Sequence, residues 1–266
     1  VTITGGATGI GFALAKRFGS EGAKIIIGEP RQNRLDEAIE ALKALGIEAS
    51  ALVMDVTDEA SVTALADFAD ATYGGTDVLI NNAGVPSRRR APMVDMAMDD
   101  VRALFDVNFF GVWHGSAIFG KRMIERGTPA AIYNLASENS FFNAVPNTAS
   151  YIASKHAVRG LTEAMRDDFP DFVQVGMIVP GFVASEMTKG SEQWAMDADE
   201  FAEKVVEQIR AGEFYVVTHS YNIERIKPIH EKIEDAYTRN APRYEGDVEY
   251  DVPTLIARLT TGRDGT

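Results

Sequence analysis

The sequence contains no cysteine, which excludes disulfide bonds, thiolate metal sites and a cysteine nucleophile. It has no apolar run as long as a membrane span, and its N-terminus lacks the basic region and hydrophobic segment of a secretion signal. The chain starts at Val1 without a methionine, so we expect a few residues to be missing before it. These absences favour a cytoplasmic protein with no membrane partner.

Basic residues are in the minority, with 26 Lys and Arg against 39 Asp and Glu, and the net charge is −13. This balance disfavours nucleic acid and anionic membranes as partners. With 45% hydrophobic and 24% charged residues, the composition is that of an ordinary globular protein. We therefore expect the partner to be a small-molecule substrate.

Short apolar runs alternate with longer segments of helical period along most of the chain. The runs are continuously apolar, as in "AKIIIG" and "FVQVGMIV", which indicates strands buried on both faces. This predicts an α/β fold, a doubly wound, Rossmann-like parallel sheet of about seven strands with helices on both faces. We expect one domain over residues 1–266, with a charged tail over residues 221–266 that either contributes to subunit contacts or lies loosely on the surface.

A glycine-rich turn joins the first predicted strand to the first predicted helix in "TITGGATGIG". Gly5, Gly9 and Gly11 at this place permit a tight turn and close approach of a pyrophosphate to the helix N-terminus. The spacing G-x-x-x-G-x-G is less specific than G-x-G-x-x-G, and an ordinary strand-to-helix turn is the alternative. The position in the first strand–helix unit favours dinucleotide binding.

The second predicted strand ends in an acid, Glu29. A carboxylate here can accept hydrogen bonds from ribose hydroxyls and repels a 2′-phosphate, and Thr8 stands where a basic residue would favour NADP. Arg31 and Arg34 lie close by in the sequence and could serve a phosphate. The pattern favours NAD, with NADP possible, although a solvated strand end is the alternative reading of Glu29.

The segment "YIASK" places Tyr151 and Lys155 four residues apart in a predicted helix, and therefore on one helical face. An isolated Tyr-x-x-x-Lys is most often surface decoration. Several motifs occurring in order give it another meaning. They are "TGGATGIG" (4–11), "MDV" (54–56), "NNAG" (81–84), "VNFFG" (107–111), Ser137, "YIASK" (151–155) and "PGFVAS" (180–185).

Together these motifs resemble the short-chain dehydrogenases/reductases of the compact single-domain kind, over about residues 1–218. The resemblance implies NAD(P)-dependent interconversion of a secondary alcohol and a ketone, and a homo-oligomer, either tetramer or dimer. It implies a catalytic set of Asn108, Ser137, Tyr151 and Lys155. It also implies that the cofactor contacts are Gly5, Thr8, Gly9, Ile10, Gly11, Glu29, Asp55, Val56, Asn82, Ala83, Gly84, Tyr151, Lys155, Pro180, Gly181, Val183 and Ser185.

Tyr151 has the role of proton carrier in this reading. A free tyrosine has a pKa of about 10, and we expect the Lys155 ammonium and a positive nicotinamide ring to lower it toward neutrality. Ser137 is expected to polarise the substrate oxygen, and Asn108 to hold a local distortion in a long helix predicted over about residues 99–125. No metal is expected, because the four histidines lack ligand spacing.

The chain departs from the family pattern in ways that bear on the substrate. Ser185 replaces a more usual threonine, "ENSFFNAVPN" replaces small residues after Ser137, and the glycine-rich C-terminal ending is absent. Apolar residues around the expected site suggest a hydrophobic, cyclic or aromatic substrate, with simple packing as the alternative: Phe141, Phe142, Val145, Phe182, Met187 and Trp194.

Two rival functions remain: a catalytically silent dinucleotide sensor or scaffold, and a dehydratase or epimerase on the same fold.

Overall fold

A seven-stranded parallel sheet lies at the centre of the fold, as the alternating pattern predicts. In the computed structural model, which describes residues 1–261, the strands occur in the spatial order β3-β2-β1-β4-β5-β6-β7. They are β1 (Thr2–Thr4), β2 (Ile25–Glu29), β3 (Ala49–Val53), β4 (Val78–Asn81), β5 (Ala130–Leu135), β6 (Val173–Val179) and β7 (Tyr215–Val217). The order reverses between β1 and β4, which creates a crevice at the carboxyl edge of the sheet.

Helices cover both faces of this sheet. Strand side chains alternate between the two layers: Ile25 and Ile27 face α1, α2 and α7, whereas Ile26 faces α3, α5 and α6. The helices of this first part are α1 (Gly9–Ser20), α2 (Gln32–Ala44), α3 (Glu59–Tyr73), α4 (Met98–Phe105), α5 (Gly111–Arg126), α6 (Ala149–Asp168) and α7 (Ala198–Arg210). Each face of the sheet therefore has its own apolar core.

The predicted long helix over residues 99–125 is interrupted. A π-helical turn over Asp106–Phe110 separates α4 from α5, and Asn108 lies at its middle. Turns of this kind often occur at functional sites. The expectation that Asn108 sits in a local distortion is confirmed in the backbone.

The chain divides into two units, Val1–Asn222 and a second that begins at Ile223, close to the predicted start of the tail. The second unit contains α8 (Ile223–Asn240) and α9 (Val252–Thr261), and no residue of α8 is buried. Its role in subunit contacts stays a prediction. Within residues 1–261, no helix combines the length and the apolar character needed to cross a lipid bilayer.

A buried ladder of polar side chains ties the sheet to the helices of one face. Asn81 Nδ2 donates to Asn134 Oδ1 at 2.8 Å and to Ser116 Oγ at 3.1 Å. Asn134 Nδ2 in turn donates to Thr162 Oγ1 at 3.0 Å. Gly115 of α5 permits this packing, because a Cβ at that position would lie 2.1 Å from Asn81 Oδ1.

Gly115→Ala is therefore expected to lower the free energy of unfolding by about 1–3 kcal/mol, since the new methyl group would displace Asn81. Gly160→Ala in α6 is the matched control, because a Cβ there meets nothing within 4 Å. We expect this control to raise stability by about 0.5–1 kcal/mol through helix propensity. Urea denaturation of both variants measures the two values. A Gly115→Ala variant as stable as the wild type would show that the ladder of polar side chains accommodates the methyl group without loss of stability.

Candidate active site

The residues predicted for the site come together at the carboxyl edge of the sheet. Each group follows the end of a strand or begins a helix beside it: the glycine turn follows β1, Glu29 ends β2, and Asp55 and Val56 follow β3. The remaining groups follow β4, β5 and β6 or begin α6, and they are Asn82, Ala83, Gly84, Ser137, Tyr151, Lys155, Pro180, Gly181, Val183 and Ser185. A parallel sheet places ligand-binding loops at this edge.

The glycine turn is shaped for close approach of a ligand. Gly5 and Gly9 have φ angles of 61° and 54°, a region that favours glycine. A Cβ at Gly11 would lie 2.5 Å from Asn82 Nδ2 and 2.6 Å from the Gly5 carbonyl oxygen. Asn82 Nδ2 braces the turn by donating to the carbonyl oxygens of Thr4 and Gly5 at 2.9 and 2.8 Å.

Helix α1 begins directly at this turn, with Gly9 as its first residue and Ile10 as its second. The Thr8 side chain does not cap the helix and donates instead to Glu186 Oε2 at 3.4 Å. The amide groups and the positive end of the helix dipole therefore face the turn, where a pyrophosphate fits. The residues at this turn fit a dinucleotide cofactor.

The acid at the end of β2 is buried and already paired. Glu29 is 4% exposed, and its Oε1 accepts a hydrogen bond from Arg31 Nε. At the end of the neighbouring strand, Asp55 Oδ1 accepts from both the amide and the hydroxyl of Thr57, each at 2.9 Å. Val56 is buried beneath. The predicted adenosine contacts thus line one continuous part of the edge.

Asn108 holds together three segments of the site. Its Oδ1 accepts from the Val85 amide at 2.8 Å, and its Nδ2 donates to the Val85 carbonyl oxygen at 3.0 Å and to Ser154 Oγ at 3.3 Å. A Cβ at Gly84 would lie 3.4 Å from Asn108 Oδ1 and 3.7 Å from Lys155 Nζ. The fully buried Asn108 therefore connects the loop after β4 to α6 beside Lys155.

Tyr151 and Lys155 are neighbours on the first turns of α6. The Lys155 Nζ lies 5.8 Å from the centroid of the Tyr151 ring, within the range of cation–π attraction. It donates to the Leu135 carbonyl oxygen at 2.8 Å. Lys155 is buried, and burial lowers the pKa of its ammonium to about 8.

The expected lowering of the Tyr151 pKa is not found in the protein alone. Burial raises the pKa of Tyr151, the charge of Glu138 raises it further, and interaction with the Ser137 hydroxyl lowers it. Desolvation is the largest of these effects, and the Lys155 ammonium is directed at the Leu135 carbonyl oxygen. At neutral pH the phenol is therefore in its protonated form. The lowering of this pKa by Lys155 together with a bound nicotinamide stays a prediction.

Glu138 and His219 also belong to this region, and the motif analysis missed them. The Gly181 amide donates to His219 Nδ1 at 3.2 Å, and a Cβ at Gly181 would lie 3.1 Å from Glu138 Oε2. Burial raises the pKa of Glu138, while a hydrogen bond from Asn222 and the charge of His219 lower it. The signal in the sequence was the unusual segment after Ser137, which begins with Glu138.

A segment after β6, residues 184–195, folds back over the glycine turn, and we call it the cover segment. Its base is fixed by the Ala184 amide, which donates to the Met196 carbonyl oxygen at 2.9 Å, beside buried Val183. Ser185 packs so closely on the turn that a Cβ at Gly9 would lie 3.0 Å from Ser185 Cβ. The cover segment thus closes one side of the cofactor crevice.

Metal ligation finds no support in the described part of the chain. No group of three or more His, Asp or Glu side chains within residues 1–261 is arranged to hold a metal ion. Two histidines near the site serve packing instead. His114 Nδ1 lies 3.0 Å from the Val56 carbonyl oxygen, and His219 contacts Gly181.

Comparisons with known proteins agree with this geometry. A sequence model of the short chain dehydrogenase family matches residues 1–196. The chain is 35% identical to 1-deoxy-11-beta-hydroxypentalenate dehydrogenase of Streptomyces avermitilis, over 82% of this chain and 83% of that protein. A short chain dehydrogenase/reductase of Burkholderia phymatum, solved in complex with NAD, is similar with a TM-score of 0.83 at 27% identity, over 91% of this chain and 97% of that one. A gluconate 5-dehydrogenase of Burkholderia cenocepacia, solved with NADP and tartrate, is similar with a TM-score of 0.70 at 29% identity, over 84% of this chain and 89% of that one.

The buried ammonium predicts a specific dependence of stability on pH. The pKa of Lys155 is about 8 in the fold and 10.5 for an ordinary lysine, so the unfolded chain binds more protons between these values. Burial of the charge therefore costs stability below about pH 8, and this cost falls as the pH rises. Relative to Lys155→Met, the wild type should gain about 2 kcal/mol between about pH 7 and pH 10.

Urea denaturation of both proteins across this pH range measures the effect, because other titrations are common to both and cancel. Lys204→Met, which removes a half-exposed lysine of α7, is the control and should show no such divergence. Parallel stability curves for the wild type and Lys155→Met would contradict the assignment of a buried, depressed lysine.

Proposed function

The chain belongs to the short-chain dehydrogenase family, and we propose that Tyr151 is its proton carrier. It is an NAD(P)-dependent oxidoreductase that interconverts a secondary alcohol and a ketone. The supporting observation is that the Tyr151 phenol interacts with the Ser137 hydroxyl while the Lys155 ammonium lies 5.8 Å from the centroid of its ring. The bound nicotinamide supplies the hydride chemistry. Proton transfer and orientation are left to this chain's own side chains.

Tyr151 gives its proton to the substrate oxygen during ketone reduction and takes it back during alcohol oxidation. Its raised pKa keeps the phenol protonated at neutral pH, which is the form needed to donate. Ser137 hydrogen-bonds the same substrate oxygen and stabilises the charge that develops on it. For oxidation the phenolate is needed, and the ammonium of Lys155 beside the ring stabilises that form.

Lys155 would also hold the ribose next to the nicotinamide, and Asn108 positions this lysine. The Asn108 amide fixes Val85 and Ser154 on either side of the lysine. We assign Asn108 the task of holding a water that links Lys155 to solvent, so that the proton lost by the substrate leaves the buried site. Asn108 is therefore a positioning residue.

NAD is the proposed cofactor, in preference to NADP. Glu29 is buried at the end of β2, where a carboxylate can accept from the ribose hydroxyls. The basic residues nearby are already engaged: Arg31 pairs with Glu29 and with Glu186, and Arg34 pairs with Glu186 and Glu37. A 2′-phosphate would have to compete with these carboxylates.

The proposed substrate is hydrophobic, and cyclic or aromatic. On the cover segment and just before it, Phe182, Met187 and Trp194 are 42%, 47% and 74% exposed, so they offer apolar surface at the site. The relative from Streptomyces avermitilis is named for a hydroxypentalenate, which supports this class. Phe141 is better explained by packing. Its ring centroid lies 6.1 Å from that of Tyr215, and the Arg159 guanidinium lies over its ring.

We also propose that the protein is a cytoplasmic homo-oligomer, a tetramer or dimer. On the outer face of the π turn and α5, Phe110 and Trp113 are 47% and 50% exposed beside Phe109. Isolated aromatic residues at a surface are common, but a contiguous patch of this kind indicates an interface. Within the second unit, α9 exposes apolar residues of its own: Val252, Leu255, Ile256 and Leu259.

Tyr151→Phe is expected to lower kcat by at least about a thousandfold, because the hydroxyl that carries the proton is removed. The dissociation constant for the cofactor should change by less than about threefold. Nicotinamide absorbance measures turnover, and calorimetry measures binding. Tyr215→Phe, at an exposed tyrosine paired with Glu163, is the control and should retain activity.

Unchanged turnover in Tyr151→Phe would refute the assignment. A wild-type protein that binds the cofactor but turns over no alcohol or ketone would favour the silent sensor. Loss of water from a hydroxylated substrate, or its epimerisation without net change in nicotinamide absorbance, would favour a dehydratase or epimerase.

A substrate panel with both cofactors tests the proposed specificity. We expect kcat/KM to be at least about tenfold higher for bulky hydrophobic secondary alcohols than for small charged ones, because each buried apolar group adds to transition-state binding. With the best alcohol, NAD should be preferred over NADP. A preference for small charged alcohols such as gluconate would defeat the substrate proposal, and a clear NADP advantage would overturn the cofactor proposal.

A further inference from the structure

A cluster of alternating charges lies where β2 meets α2. Arg31 Nε donates to buried Glu29, and Arg31 Nη1 donates to Glu186 Oε2 at 2.8 Å. Arg34 Nη2, from the first turn of α2, donates to Glu186 Oε1 at 2.7 Å. Each oxygen of the Glu186 carboxylate therefore binds a different arginine. The hydrogen bond from Arg31 is the largest of the effects that lower the pKa of Glu186, so the group is charged at neutral pH.

Glu186 reaches this position from the cover segment, which is more than 150 residues away along the chain. Its place is also fixed on the other side, because Thr8 Oγ1 donates to Glu186 Oε2 at 3.4 Å and Ser185 packs on Gly9. The Ser185 amide, in turn, donates to Thr188 Oγ1 at 2.9 Å. The ion pairs are therefore part of a wider contact between the cover segment and the cofactor crevice.

The end of β2 is where a dinucleotide-binding fold distinguishes its two cofactors. An acid there accepts from the 2′-hydroxyl of NAD, and an arginine nearby accommodates the 2′-phosphate of NADP. This chain has both: buried Glu29, and two arginines at the start of α2, Arg31 and Arg34. The arginines converge on one anion, and that anion is the Glu186 carboxylate.

We propose that Glu186 selects the cofactor: its carboxylate takes the anion position between Arg31 and Arg34 and so excludes the 2′-phosphate of NADP while the cover segment is closed. This deepens the proposed function, since it rests on dinucleotide binding at this crevice. NADP must displace Glu186, and with it the contact of the cover segment. NAD has a hydroxyl in place of the 2′-phosphate and so brings no anion to this position.

The test is calorimetric binding of NAD and of NADP to the full chain, without turnover. In Glu186→Gln the two arginines lose the carboxylate that they share, while Arg31 keeps Glu29 and Arg34 keeps Glu37. NADP should then bind about tenfold more tightly relative to NAD than it does in the wild type. That ratio corresponds to about 1.4 kcal/mol. The glutamine has the same shape, so loss of packing is not introduced.

Two further variants isolate the cause. Glu192→Gln removes the same charge from the same segment, but its carboxylate accepts from the nearby Gly190 amide and not from Arg31 or Arg34. The NADP-to-NAD ratio should therefore change less than about twofold. Combining Glu186→Gln with Arg34→Gln should remove most of the NADP gain, because one of the two released arginines is lost.

Each result has a defined meaning. No NADP gain in Glu186→Gln, an equal gain in Glu192→Gln, or a gain that survives Arg34→Gln would overturn the proposed selection. If the folded wild type and every variant bind neither dinucleotide, the proposed function itself fails. If the wild type binds NAD but the ratio of NADP to NAD affinity is unchanged in Glu186→Gln, the proposed function stands and the proposed role of Glu186 fails.

Discussion

Buried polar side chains that bond to loop backbone hold the carboxyl edge of this sheet in one arrangement. Asn82 fixes the glycine turn, Asn108 fixes the chain at Val85, and Lys155 fixes the end of β5 at Leu135. A buried polar group left without a partner costs about 1–3 kcal/mol, so each of these loops is bound to its neighbour rather than loosely placed. The reacting groups consequently stand on rigid elements, which is the condition for precise positioning of a substrate.

The electrostatics of the site follow from enclosure. Burial lowers the pKa of Lys155 and raises the pKa of Tyr151 and of Glu138, so all three groups are shifted toward their neutral forms. In such an environment the charge of a bound group is only weakly screened and acts strongly on its neighbours. Tyr151, whose pKa is raised by burial, is thus protonated at neutral pH and can become a usable base once positive charge is bound beside it. The lysine alone does not achieve this shift.

Local patterns in the sequence predicted most of the scaffold. Continuous apolar runs indicated the parallel strands, and the four-residue spacing placed Tyr151 beside Lys155, as the 5.8 Å separation shows. The rise of the Tyr151 pKa in the protein alone could not be predicted from the sequence, because burial depends on how α6 packs against the sheet. The pairing of Glu186 with Arg31 spans 155 residues, and no local pattern encodes a contact of that range. Ion pairs between residues far apart along the chain therefore could not be predicted from the sequence.

The cover segment brings the two specificities of the site into one structural element. Glu186 faces the arginines beside the cofactor crevice, while Met187, the next residue, is exposed with the apolar surface assigned to the substrate. A ligand that shifts this segment on one side must change its fit on the other, and such coupling is reciprocal in binding free energy. Together, the two proposals therefore predict that substrate binding and cofactor choice are linked through a short helical turn, Glu186–Thr188, in the segment anchored at Met196. Exchanging substrates by remodelling this segment would disturb the cofactor preference as well.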